Sequence, residues 1–304
     1  MYGVAMQLRL LFFPLVFSVL SIAQANDVAK IRIDHEKRQI EGWTVYIDKS
    51  FLEGEHQQTG DQVLRILGQR LHQIKLRLPA GPVAKMQEVP IYIDRAHPLG
   101  NAHYHPEVDW LEERGYDPAL AQAVHLTHAG GLIGEASRPY STSVILHELA
   151  HAYHDLVLGF DHPEILAGYR KFCDSRKFDE VDLLSGHRRP HYGLTDHKEY
   201  FAEMTETFFV GNSHYPFNHF QLYHEHPESY QLVAEIWGVK VNPPEKKVAE
   251  QPSILDLRIL AALKSQRGDL DGALKLIDQA QERSNDYEGR LETLRKRILS
   301  EYEQ

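Results

Sequence analysis

STSVILHELAHAYHDLVLG, residues Ser141 to Gly159, decides how this chain is read. Ser or Thr at its start is a natural N-cap, and Gly159 is a natural stop. Between them Ile145, Leu149, Ala152 and Leu156 recur at helical spacing and form a stripe that faces a core. His147 and His151 are four residues apart, so they stack one turn from each other on another face, with Glu148 beside them. Two imidazoles so placed can bind one Zn²⁺, and the glutamate between them is placed to take a proton from a water. In a chain with 19 histidines an accidental HExxH arises roughly one time in ten. The capped, striped helix and a third ligand must therefore carry the reading.

A catalytic zinc takes three protein ligands and leaves a fourth position open. After His151 the chain reads AYHDLVLG, without the Gly and third His of the metzincin extension. The best candidate lies in a second helix, His197 to Val210 (HKEYFAEMTETFFV), whose Tyr200, Phe201, Met204, Phe208 and Phe209 require burial. Glu199 and Glu203 would be costly there unless their charge is compensated. A metal and its histidines supply that compensation, with Glu199 as ligand and Glu203, one turn on, accepting the free ring N–H of a ligand histidine. Glu206 falls on a different face and reads as solvated. His154, one turn after His151, reads either as a hydrogen-bonding neighbour of the ligands or as an exposed helix histidine.

Taken with HELAH, the segment Tyr192 to Glu203, YGLTDHKEYFAE, resembles the zinc peptidases related to the protease domain of anthrax lethal factor. The resemblance covers roughly Ser141 to Val210 and none of the first hundred residues or the C-terminal helices. It implies that His147, His151 and Glu199 are the zinc ligands and Glu148 the general base. It also implies that Tyr192, in a Tyr-Gly pair seven residues before Glu199, points into the site and assists the tetrahedral intermediate. The implied fold is an α+β zincin-like domain, a small mixed sheet over the HExxH helix and the Glu-bearing helix, and the implied activity is peptide hydrolysis.

The rest of the chain sets this segment in context. Composition is that of a globular protein, 42% apolar and 25% charged, with formal charge −10, which argues against nucleic-acid binding through a basic field. One cysteine, Cys173, excludes an intramolecular disulfide and reads as a packed residue. Met1 to Ala25, with one cation, an apolar run from Leu10 to Ile22 and Ala23-Gln24-Ala25, reads as a signal peptide cleaved before Asn26; a retained anchor is the lesser reading. The expected protein is therefore exported, to the periplasm or outside the cell, without a stable membrane anchor. Residues 26–240 form the expected peptidase domain, 241–253 (VNPPEKKVAEQPS) a linker, and 254–304 a helical hairpin of tetratricopeptide-like or capping type that is a possible site for a protein partner. Lys246 to Gln304 holds 11 bases and 11 acids, so the charge excess belongs to the larger region.

Within that region Gln39 to Asp48 alternates like one strand, Thr59 to Leu76 reads as a helix, and Val89 to Asp94 as a strand. Ala123 to His128 (AVHLTH) is the expected edge strand for a peptide substrate, with His125 and His128 lining the groove. Sixteen of the 19 histidines lie between His97 and His226. His103 with His105, and His224 with His226, read first as exposed loop histidines and second as a further metal site. Gly211 to Gly238 either closes over the site or completes the core. Two other classes compete with an enzyme: a zinc-bearing binding protein on a peptidase fold, and an exported metal-binding protein.

Overall fold

The computed structural model describes residues 31–136, 143–241, 254–266, 268–283 and 290–302. The expected signal peptide at 1–25, residues 242–253 of the expected linker, Ser141 and Thr142 lie outside them. The described chain is α+β. Residues 39–48 are not one strand but parts of two: β1 (His35–Ile40) and β2 (Trp43–Asp48) pair as an antiparallel hairpin. Glu41 and Gly42 both take positive φ, 53° and 98°, the conformation a two-residue hairpin turn demands and the reason Gly occupies its second position. Alternation continued through the turn, so periodicity alone concealed it.

Helix α1 (Gln57–Arg77) has the expected apolar spacing and buries Val63, Ile66, Leu67, Leu71 and Ile74, each contributing about 1.5–3 kcal/mol. After α2 (Ala80–Met86) come β3 (Ile91–Ile93), β4 (His103–Tyr104), α3 (Val108–Glu113) and β5 (Val124–Leu126). The five strands form one mixed sheet in the order β1-β2-β3-β5-β4. β3 runs parallel to β2 and β5, whereas β4 pairs antiparallel to β5 at the outer edge. Strand parity then divides the faces. Trp43, Val45, Ile47, Ile91, Ile93, Val124 and Leu126 enter the main core. Tyr92 joins Leu111, Leu120 and Ala123 in a smaller core on the opposite side, with Tyr46 packed against it.

The main core is covered by helices: α4 (Gly131–Ala136), α5 (Val144–Tyr153), α6 (Pro163–Asp174), and, after a short hairpin of β6 (Val181–Asp182) and β7 (Arg188–Arg189), α7 (His197–Phe209), α8 (His219–Glu225) and α9 (Pro227–Trp237). α5 ends in a π turn over His154–Leu158 before Gly159, which has φ 80°. The extra residue in that turn rotates the side chains beyond it about the helix axis. Leu156, expected on the buried stripe, is 45% exposed as a result, while Ile145, Leu149 and Ala152 are buried. Residues 211–238 complete the core: Leu222, Tyr230, Val233 and Trp237 are buried, and Trp237 stacks on Tyr153 with ring centroids 4.4 Å apart.

The C-terminal part contains three described helices, Ile254–Gln266, Leu270–Arg283 and Arg290–Tyr302. Leu257, Ala261, Ala273, Ile277, Ala280 and Ile298 form their own small core. The alanines let the helices approach closely, and Ile298 draws the third helix in. Asn218, the N-cap of α8, donates a 2.6 Å hydrogen bond to Asp256. Among the described residues no helix is long and apolar enough to cross a membrane.

Candidate metal centre

Two helix starts build the site. On α5, Ser143 caps the N-terminus by accepting from the Leu146 N–H, which fixes the helix phase and places His147 and His151 one turn apart on the same side. On α7, Asp196 accepts from the Lys198 and Glu199 N–H groups at 2.8 and 2.9 Å, so Glu199 enters in the first turn. The helices pack so that Glu199 Oε2 lies 3.1 Å from His147 Nε2 and 3.4 Å from His151 Nε2. The two Nε2 atoms are 3.2 Å apart.

This near-equilateral triangle permits a fit test. Ligand atoms about 2.0–2.1 Å from a tetrahedral ion are separated by about 3.3–3.4 Å. Three donors spaced at 3.1, 3.2 and 3.4 Å match one face of such a tetrahedron without rearrangement. The donor set, two imidazoles and one carboxylate, is also right for a borderline-soft divalent ion. Burial acts to raise the Glu199 carboxyl, but hydrogen bonds from His147 and His151 outweigh it and hold the group well below the usual carboxylate range.

Glu148 and Tyr192 flank the triangle. Glu148 Oε2 accepts the Tyr104 backbone N–H at 2.8 Å, so the carboxylate is anchored to the free side of β4. Tyr192 donates its hydroxyl to Glu199 Oε1 at 3.2 Å. Burial, then the nearby Glu199 charge, pushes the phenol up to about 12, so it keeps its proton at neutral pH. All five residues line one cleft of about 810 Å³, which Ala102, His103, Tyr104 and His128 also line.

Behind His147 the structure departs from expectation. Its Nδ1 lies 3.5 Å from Glu203 Oε1 and equally 3.5 Å from Glu206 Oε2. Glu206 is therefore not solvated; it is 7% exposed and also accepts the Ser143 N–H, tying α7 to the start of α5. The reason is that α7 has no solvent face over this span: every residue from Tyr200 to Phe208 is buried. Glu199, Glu203 and Glu206 stand at i, i+4 and i+7, the spacing of one helical stripe, so the signal was in the sequence. Burial raises the Glu203 carboxyl, and Asn212 steadies it with a 3.0 Å hydrogen bond.

His154 is also corrected. It is fully buried, neither ring nitrogen has a partner, and it packs edge-on against Phe160 and Phe201. Burial lowers it to about 3, so it is a neutral packing residue and does not touch the ligand group.

The expected edge strand is displaced too. β5 is internal, between β3 and β4, and His125 points to the far side of the sheet, away from the cleft. The edge facing the cleft is β4, two residues hidden in NAHYH and too short to show alternation. His105 and His226, expected to be exposed, are 5% and 4% exposed, and His226 caps α9. His191, for which the sequence suggests no role, caps the turn holding Tyr192 by accepting the Gly193 N–H.

No family model, no curated protein and no solved structure matches this chain.

Proposed function

We propose that the protein is an exported zinc peptidase of the HExxH type, with a zincin-like catalytic domain and His147, His151 and Glu199 as metal ligands. The single observation that carries this reading is the 3.1–3.4 Å donor triangle, with a carboxylate and a phenol beside it. Zinc held by these three residues would supply Lewis acidity, polarising a carbonyl and making a water acidic near neutral pH.

The chain's own residues supply the proton transfers. Glu148, held by the Tyr104 N–H, accepts a proton from the attacking water as the new C–O bond forms. It returns that proton to the amine nitrogen as the C–N bond breaks. Tyr192, protonated at neutral pH, swings from Glu199 to donate a hydrogen bond to the oxyanion. A substrate strand lies along the cleft in extended form beside β4, whose Tyr104 N–H holds Glu148. Glu203 and Glu206 hold the His147 ring from behind and keep its Nε2 lone pair turned to the metal. Export rests on the pattern of residues 1–25, and N-terminal sequencing of the secreted chain should begin at Asn26. The substrate is a peptide or protein, and the C-terminal helices are the place for a protein partner.

The test is a peptide-library screen with the native chain before and after chelation. We expect cleavage that disappears with the metal and returns when one equivalent of zinc is restored. A chain that holds one zinc tightly and cleaves nothing would instead be a binding protein on this fold, and weak binding of several ions would mark a metal-binding protein.

A further inference from the structure

On the opposite side of the sheet from the cleft, strand register gathers a second set of metal-binding side chains. Asp94, just beyond β3, and His125 of β5 share the face of Tyr92, and His97 lies on the loop after Asp94. All three are buried, with exposures of 1%, 0% and 4%. One donor atom from each lies within 4.8 Å of the other two. The ion-pair partners of Asp94 among the described residues are histidines only, His35 and His125, each at 2.7 Å. This deeply buried carboxylate is therefore compensated by imidazoles, which are themselves metal-binding groups.

The surrounding hydrogen bonds orient the three donors. His35 Nε2 holds Asp94 through Oδ1, leaving Oδ2 toward His125. His105 Nε2 lies 3.2 Å from His125 Nδ1, which leaves His125 Nε2 toward Asp94. The Leu99 N–H donates to His97 Nδ1, which puts the proton of the neutral ring on Nε2; an ion at Nε2 displaces that proton and the Leu99 contact. Outer partners such as His105 on His125 and His35 on Asp94, which fix the orientation of a donor, are the usual surroundings of metal-binding side chains. We propose that Asp94, His97 and His125 form a second divalent transition-metal site, of the zinc class, with His35 and His105 as its outer hydrogen-bond partners.

The donor set repeats that of the cleft, two imidazoles and one carboxylate. The 2.7 Å contact between Asp94 Oδ2 and His125 Nε2 is hydrogen-bond length, so an ion displaces the shared proton and moves these atoms to about 3.3 Å apart. Through His105 the site is joined to the residue after β4, next to Tyr104 whose N–H anchors Glu148. A bound ion would stiffen the edge strand of the cleft from its far side. The proposal does not depend on what the cleft binds.

The experiment uses the full chain carrying His147→Ala and His151→Ala, which removes the cleft site, with Co²⁺ as the probe. We expect one Co²⁺ per chain with the visible absorption of a low-symmetry histidine site, and affinity weakened roughly 100-fold or more when His97→Ala is added. His97 lies outside the strands, so circular dichroism should show each variant folded. Should the double variant fail to fold, elemental analysis of the native chain and its His97→Ala variant decides: the variant should hold one ion fewer per chain. A folded double variant that binds no Co²⁺, Co²⁺ binding indifferent to His97→Ala, or an ion count of the native chain unchanged by His97→Ala would overturn the site and leave a proton-bound network.

Discussion

The two histidine–carboxylate groups on the two sides of the sheet share a composition and differ in construction. His147, His151 and Glu199 come from helix turns, and their donors are 3.1–3.4 Å apart, joined by long hydrogen bonds. Asp94, His97 and His125 come from strand ends and a loop, and the Asp94–His125 contact is already a 2.7 Å hydrogen bond. Both exchange protons for an ion, but the first group already has the spacing of an ion's ligands, whereas the second must lengthen a 2.7 Å contact to reach it. The difference predicts a two-step titration in which the cleft fills first and the far side fills second, with weaker affinity.

Substitutions can break or sharpen that contrast. The largest effect belongs to Glu199→Ala, which removes the only carboxylate of the donor triangle; zinc content and turnover should both be lost, while full occupancy by elemental analysis would place the third ligand elsewhere. Tyr192→Phe comes next, with kcat reduced by about 10²–10³ and zinc content unchanged, the loss typical of one oxyanion donor. An unchanged kcat would reduce Tyr192 to a partner of Glu199. Glu206→Gln should weaken zinc binding in the cleft about 10–100-fold without altering the far-side group, as measured by competition with a chelator. His154→Leu is the smallest: it replaces an unpartnered buried ring, so stability should change by less than about 1 kcal/mol or improve, and turnover should hold. A fall in zinc affinity in that variant would restore a role near the metal.

The same contrast explains what the sequence made legible. α5 and α7 could be read because a helix places i and i+4 side by side, so HELAH and Glu199 with Glu203 are local patterns. Glu206 belongs to the same stripe, but only the packing of α5, α6, α8 and α9 removes the wet face that a helix read alone would have. The burial of His154 against Phe160 and Phe201 is a tertiary fact that helix spacing does not carry. The two-residue β4 lacks a period, and the Glu41-Gly42 turn preserved one. Asp94 and His125 are 31 residues apart and meet only through the register of β3 and β5. Sites assembled by strand register leave no spacing to find.

The central claim is that Glu148 moves the proton in a zinc-dependent hydrolysis, and the most direct measurement is zinc content and peptide turnover on the same preparations of native chain and Glu148→Gln. The account predicts equal zinc in the cleft and turnover lower by about 10²–10⁴ in the variant. Native turnover in Glu148→Gln with zinc still bound would contradict it.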